Sequence, residues 1–285
     1  MSWSNYHQHC YYCDGTSPLE EYVVSALEKN VRSFGFSSHA TIPYDVPWCI
    51  EEGKFSAYES EVLALREKYA DELPIFLGLE IDFFPDIMGP ADERFDCLDY
   101  RIGSVHFAGT FEDGTLWGID DTKKMYERGI NEIFDGNVPA AVEKYFDVTR
   151  QMIRQSPPDI IGHLDKIKMN NGVGIYFSEV EKWYQKAVLQ TLEEIAATDI
   201  VVEVNTRGVY KKKTPFPYPS PFILKHLLNM NVPIMLNSDA HHPREITNYF
   251  GETAEMLSQI GFDELQIVTK DGLQARPFDK NGIKF

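Results

Sequence analysis

The sequence predicts an α/β fold whose parallel sheet closes, or nearly closes, into a barrel. Three observations carry this expectation. Short β-rich runs alternate with longer amphipathic runs seven times, the pattern of repeated strand–helix units. The third such run, Ile75 to Asp82, is apolar almost throughout, as suits a parallel strand covered on both faces. No G-x-G-x-x-G follows the first run, so an open dinucleotide-binding sheet has no support.

The first strand is expected over about Trp3 to Cys10. A helix follows from Pro18, with Ser17 as N-cap and Glu20 as the capping-box acid. The second strand covers about Ser33 to His39. A loop from Ala40 to Gly53 then leads to a helix over about Phe55 to Ala70. After the third strand, a short helix near Ala91 to Asp96 precedes a fourth strand, Tyr100 to Phe107. The segment 108–156 starts loop-like around Gly109, Gly114 and Gly118. It continues as two helices, about Thr122 to Phe134 and Pro139 to Gln155. A fifth strand, Asp159 to His163, precedes a loop and a helix from Glu179 to Ala197 capped by Ser178. The sixth strand is Ile200 to Asn205, followed by a basic, Pro-rich loop, Arg207 to Pro219. A helix from Pro221 to Asn229 leads to the seventh strand, Val232 to Asp239. A helix over about Arg244 to Ile260 and an extended run, Glu264 to Thr269, end the fold. With no long linker or repeat, residues 1–285 read as a single domain.

Hydrophobic residues make up 43% of the 285-residue chain, enough for a sizeable core. The formal net charge of -17 argues against nucleic acid or an acidic membrane surface as partner. A small anionic substrate remains compatible, since a local cation or metal can hold it against the global field. No run of about 18 apolar residues and no signal-peptide pattern occurs, which predicts a cytoplasmic protein without membrane contact. Cys10 and Cys13 form one C-x-x-C, but Cys49 and Cys97 lie far apart, so all four are expected as free thiols.

The ends of the predicted strands share one property. The first contributes His7 and His9, spaced so that their side chains point the same way on extended backbone. The others contribute His39, Glu80, His106, His163 and Asp239, with His241 two residues on; Asp14 sits just after the first. In a parallel barrel these positions converge on one face. Glu80 and Asp239 follow apolar runs, where a carboxylate is costly unless paired or metal-bound. His226 and His242 stand apart, and His226 reads as an ordinary helix residue. One ion uses three or four protein ligands, so nine groups suit two to three divalent metal ions with Glu80 bridging. The His/carboxylate mixture is compatible with Zn, Mn or Fe.

These residues form recognisable motifs: His7-x-His9, Asp14-Gly15, His39, Gly78-Leu79-Glu80, Ser104-Val105-His106, Gly162-His163-x-Asp165 and Ser238-Asp239-Ala240-His241. Together they resemble those of the polymerase and histidinol phosphatase (PHP) superfamily, from the first residues to about His241. Glu203-Val204-Asn205-Thr206 is similar to the histidinol-phosphatase branch. The resemblance implies a distorted (β/α)7 TIM-like barrel and a three-metal site at the C-terminal ends of its strands. It divides the ligands into His7, His9, Glu80 and Asp239; Glu80, His106 and His163; and Asp14, His39 and His241. Relatives with His in place of Asp14 leave the third site least secure.

The activity implied is metal-dependent hydrolysis of a small-molecule phosphate monoester, L-histidinol phosphate, in histidine biosynthesis. The alternative is another small phosphate ester or a nucleotide. Arg207 is the first candidate to bind the phosphate, because a guanidinium matches its geometry, and Lys168 the second. Lys211, Lys212 and Lys213 read as a solvated run, and Arg244 as a cap on the mouth of the site. His241, Asp14 or a metal-bound water would protonate the leaving group. Asp45, Glu112 and Asp113, with Tyr44, Trp48 and Trp117, are candidates for an acidic, aromatic pocket wall. A non-catalytic module is expected to have lost ligands, and an amidohydrolase-type barrel to carry a bridging lysine; neither is seen.

Overall fold

A computed structural model describes residues 2–285. Seven strands form one parallel sheet: β1 (Trp3–Asn5), β2 (Val31–Phe36), β3 (Ile75–Asp82), β4 (Tyr100–Ser104), β7 (Ile160–Ile161), β8 (Val201–Asn205) and β9 (Ile234–Asn237), paired in that order. The helices between them are α1 (Leu19–Glu28), α2 (Phe55–Lys68), α3 (Lys123–Phe134), α4 (Val138–Gln155), α5 (Lys182–Ala196), the short α6 (Arg207–Tyr210) and α7 (Pro221–Asn229); α8 (Phe250–Ile260) follows β9. All eight residues of β3 are buried, which is why its sequence is apolar without alternation.

The seam between β1 and β9 closes the barrel at its C-terminal end. β1 stops after three residues, so regular pairing gives way to a single bridge: His9 N donates to Ala240 O (2.8 Å) and Ala240 N to His7 O (3.1 Å). Side-chain amides stitch the rest. Asn237 Oδ1 accepts from Tyr6 N (2.9 Å), and Asn5 Nδ2 reaches Ser238 Oγ and Ile246 O (both 2.7 Å). This bridge fixes the backbone on either side of His7, His9 and Asp239.

Inside the barrel, Tyr100 of β4 lies over two glycines. A Cβ on Gly35 would sit 2.5 Å from its Oη, and one on Gly78 2.4 Å from its ring. The hydroxyl, held 2.5 Å from Tyr6 O and 2.9 Å from Phe36 O, cannot retreat. Gly78→Ala is therefore expected to overpack the core and lower stability by about 1–3 kcal/mol, measured as a shifted urea midpoint with unchanged m-value.

Several expected boundaries move. The predicted N-cap Ser17 makes no capping bond; Pro18 holds the cap position, and Glu20 is taken by Lys68 and the Tyr69 hydroxyl (2.6 Å). The predicted cap Ser178 instead closes a turn, its backbone N donating to Glu181 Oε1 (2.8 Å) and its carbonyl accepting from Glu181 N (3.1 Å), and α5 starts later at Lys182. The loop-like part of 108–156 contains an antiparallel hairpin, β5 (Phe107–Thr110) with β6 (Leu116–Gly118), whose glycines hide the strand pattern. The basic loop after β8 opens with α6. Nor does the fold end at Thr269. β10 (Glu264–Thr269) pairs with β11 (Gly272–Asp279), which pairs with β12 (Gly282–Ile283); Pro277 and the polar run of β11 mask it in the sequence. Val268 O of β10 accepts the Ser33 hydroxyl (3.1 Å), tying this sheet to β2.

Candidate metal centre

All nine ligand-type residues meet at the C-terminal mouth of the barrel. His7 and His9 lie on the segment after β1, Asp14 in the turn beyond it, His39 after β2, Glu80 in β3, His106 between β4 and β5, His163 after β7, and Asp239 and His241 after β9. All but Asp14 and His241 are buried. Asp239 has φ of 53°, a left-handed conformation that Asp tolerates better than most residues.

Glu80 is the hub. Its Oε2 lies 3.1 Å from His7 Nε2, 3.1 Å from His39 Nδ1 and 3.4 Å from His9 Nε2. Its Oε1 lies 2.8 Å from His163 Nε2 and 3.5 Å from His106 Nε2, and accepts the Ser104 hydroxyl at 2.6 Å. Asp239 Oδ1 stands 3.3 Å from His9 Nε2 and 3.4 Å from His241 Nδ1. Across the mouth, Asp14 Oδ2 is 3.1 Å from His241 Nε2.

The electrostatics follow from this crowding. Burial opposes charge on His7, but Glu203, Glu80 and Asp239 outweigh it and raise its pKa well above the ordinary value. His106 is likewise raised, to about 9, because Asp82 and Glu80 overcome burial. Burial wins at His9, with His241 adding to it, and lowers it to about 4; at His39 burial lowers the pKa to about 3. Glu80 and Asp239 are pulled far below the ordinary carboxylate range: His7 leads in overcoming burial at each.

These donors fit divalent cations. Buried imidazole nitrogens of His7 (Nε2), His9 (Nε2) and His39 (Nδ1) make no hydrogen bond among the described residues. Four sets bring their ligand atoms within 4.8 Å of one another: His9, Asp14, His39 and His241; His7, His9 and Asp239; His7, Glu80 and His163; His39, Asp82 and His106. This grouping differs from the expected division: His7, His9 and His39 each belong to two sets, Glu80 belongs to one, His106 falls with His39 rather than with Glu80 and His163, and Asp82 joins. Asp82 also accepts from His106 N (2.9 Å) and holds its Nδ1 (3.0 Å).

A cavity of about 1010 Å³ opens over the centre. Arg207 lines it, with Nη1 donating to Asp239 O (2.8 Å). Lys168 does not. Its Nζ is buried against Asp165 Oδ2 (2.6 Å), over the Tyr218 ring, away from the cavity. The lysine that reaches the centre is Lys166, 3.4 Å from both His106 Nε2 and His163 Nε2 and paired to Asp120 (3.0 Å). Lys168→Met would leave Asp165 buried without its cation. It is expected to cost about 3–5 kcal/mol of stability while leaving the substrate KM unchanged; a raised KM at full stability would return Lys168 to the site.

The cavity also has an acidic and aromatic lining. Tyr44, Asp45, Trp48, Phe107 and Asp113 line it, whereas Glu112 does not and Trp117 is fully buried. Trp48 stacks on Phe107 (5.7 Å between ring centres) and packs against His39 (4.5 Å). Lys211 and Lys213 edge the cavity; Lys212 and Arg244 lie off it. His226 packs on Phe222 (4.9 Å), and His242 Nδ1 accepts from Arg244 N (3.1 Å). All four cysteines are free. No helix of the described residues is long and apolar enough to cross a membrane.

Comparison with known proteins places this geometry among relatives. A family model described as "PHP domain" matches residues 5–207. A curated protein of Deinococcus radiodurans named "Probable histidinol-phosphatase" is 28% identical over 261 residues, covering 90% of this chain and 92% of that protein. Among solved structures, HisK from Listeria monocytogenes aligns with a TM-score of 0.75 at 20% identity, over 87% of this chain and 99% of that one. Histidinol phosphate phosphatase from Lactococcus lactis, solved with Zn, L-histidinol and phosphate, aligns with a TM-score of 0.65 at 17% identity over both full chains. These likenesses share the barrel.

Proposed function

The chain belongs to the PHP domain family, and on that premise we propose that it is a metal-dependent phosphomonoesterase that hydrolyses L-histidinol phosphate to L-histidinol and phosphate, a step of histidine biosynthesis. The observation that carries this reading is the polarity of the cavity. The lining offers Lys166 and Arg207 beside the ligand cluster, and also Asp45 and Asp113 among Tyr44, Trp48 and Phe107. A substrate with a phosphate at one end and a cationic amine and imidazole at the other matches both kinds of lining. A simple sugar phosphate has no cationic end to answer Asp45.

In this reading His7, His9, Asp14, His39, Glu80, His106, His163, Asp239 and His241 would hold two to three divalent ions, zinc, manganese or iron. Such ions would supply Lewis acidity, neutralising the phosphoryl oxygens and acidifying a water. Arg207 and Lys166 grip the phosphate from beside the cluster, a charge-assisted contact. His241 and Asp14, 3.1 Å apart at the mouth, hold the proton that the departing alkoxide requires. The chain acts as one barrel domain, since Asp239 and His241 lie beyond the matched residues 5–207. On this reading the substrate is a small molecule rather than a nucleic acid, and the enzyme works in the cytoplasm.

The test is phosphate release by protein reconstituted with manganese, zinc or iron, against histidinol phosphate, nucleotides, sugar phosphates and an oligonucleotide. Selective turnover of histidinol phosphate is the expected result. Preference for a nucleotide or sugar phosphate would favour another PHP-type phosphoesterase activity. No turnover of any monoester with any metal would sink the reading.

A further inference from the structure

Glu203 is a fully buried carboxylate that none of the groups of ligand-type residues includes. It lies in β8 between Val202 and Val204, in a run otherwise apolar until Asn205. A charge there is expensive unless every lone pair is used. Each oxygen accepts two hydrogen bonds. Oε1 is 2.6 Å from His7 Nδ1 and accepts Asn237 Nδ2 at 3.1 Å. Oε2 accepts the backbone N of His163 at 2.8 Å and Asn205 Nδ2 at 3.0 Å. A carboxylate has about four lone-pair positions, so Glu203 has none left for an ion.

The partners span the barrel. His163 follows β7, Asn205 is in β8, Asn237 in β9, and His7 comes from the β1 segment across the closing seam. Glu203 thereby joins the His7 imidazole to the backbone of His163, two residues whose rings both face Glu80, His7 Nε2 at 3.1 Å and His163 Nε2 at 2.8 Å. With Nδ1 committed to a carboxylate, a neutral His7 carries its proton on Nδ1 and keeps the Nε2 lone pair for the centre. Asp82 holds His106 Nδ1 in the same way, so the arrangement recurs within the site.

We infer that Glu203 is a positioning residue for the metal centre: it sets the tautomer and aim of His7 and, through the backbone of His163, locks two ligand-bearing segments in one frame. This rests on the reading of His7 and His163 as metal ligands. Glu203→Gln keeps the shape but offers His7 a neutral amide in place of a carboxylate. Zinc affinity, measured by chelator competition, is expected to fall about 10- to 100-fold. A merely structural role would lower the unfolding midpoint of the metal-free protein and leave zinc affinity within twofold of wild type; that result overturns the inference. Failure of wild-type protein to bind zinc would instead sink the underlying reading. Should Glu203→Gln not fold, nitrogen-15 imidazole spectra of zinc-loaded wild-type protein decide the matter. A His7 proton on Nδ1 is expected, and a proton-free Nδ1 would overturn it.

Discussion

Glu80→Gln is expected to reduce bound metal from two to three ions per chain to one or none, and kcat/KM by at least about a thousand-fold, equivalent to about 4 kcal/mol of barrier. The size follows from how many groups share this carboxylate. Five imidazoles lie within 3.5 Å of its oxygens. Gln has the same shape, so the change is one of charge and of donor direction. An amide supplies one neutral oxygen where two anionic oxygens stood, and turns N–H donors toward imidazole nitrogens that should present lone pairs. The cations lose their shared counter-charge, and the imidazoles repel one another without it. Metal analysis of purified protein and steady-state kinetics check both parts. One ion per chain in the wild type, unchanged by the substitution, would refute a shared multinuclear centre.

The same variant makes a prediction for the metal-free protein. Glu80 has its pKa pulled far below the unfolded value, with His7 foremost in overcoming burial. A carboxylate so depressed contributes stability above its unfolded pKa and loses it as pH falls toward the folded value. Metal-free wild type should therefore lose stability in acid more steeply than Glu80→Gln. Equal acid profiles would show that Glu80 is not held as a paired anion.

The ligand cluster was legible because barrel geometry makes strand ends converge, so residues far apart in sequence could be grouped by position alone. The bounds of β3, α7 and β10 were legible for a similar reason: apolar runs end in clear punctuation, as at Pro221. The supporting residues were harder to see. Asp82 had a usable signal, since it stands two residues after Glu80 and so shares its side of the strand. Glu203 had one too, a lone acid among valines. Lys166 had none. It and Lys168 are both basic residues just past β7, and only the 3₁₀ turn from Lys166 to Asn171 sends the first to the centre and the second to Asp165. The β5–β6 and β11–β12 strands were hidden by glycines and by Pro277, which weaken local strand propensity while tertiary pairing supplies the order.

Arg207→Ala is expected to lower kcat/KM for the phosphate ester by about 10²- to 10³-fold, the usual consequence of deleting one donor from a charge-stabilising site, with metal content intact. The guanidinium stands where α6 begins, and its Nη1 is anchored on Asp239 O at 2.8 Å. That anchor uses one of five N–H donors and holds the remaining fork at the cavity wall without further loss of side-chain freedom. Burial would favour the neutral form, but Asp239 outweighs it and raises the pKa, so the charge persists at any working pH. Arg207→Lys separates charge from shape. An ammonium keeps the charge but cannot reproduce a planar, two-pronged grip while also holding Asp239 O. The lysine variant should therefore recover only a small part of the lost kcat/KM. Full recovery would mean that Arg207 acts as a diffuse cation near the mouth. A fall in bound metal in either variant would mean that its main task is to hold the Asp239 backbone, and that the phosphate is gripped by Lys166.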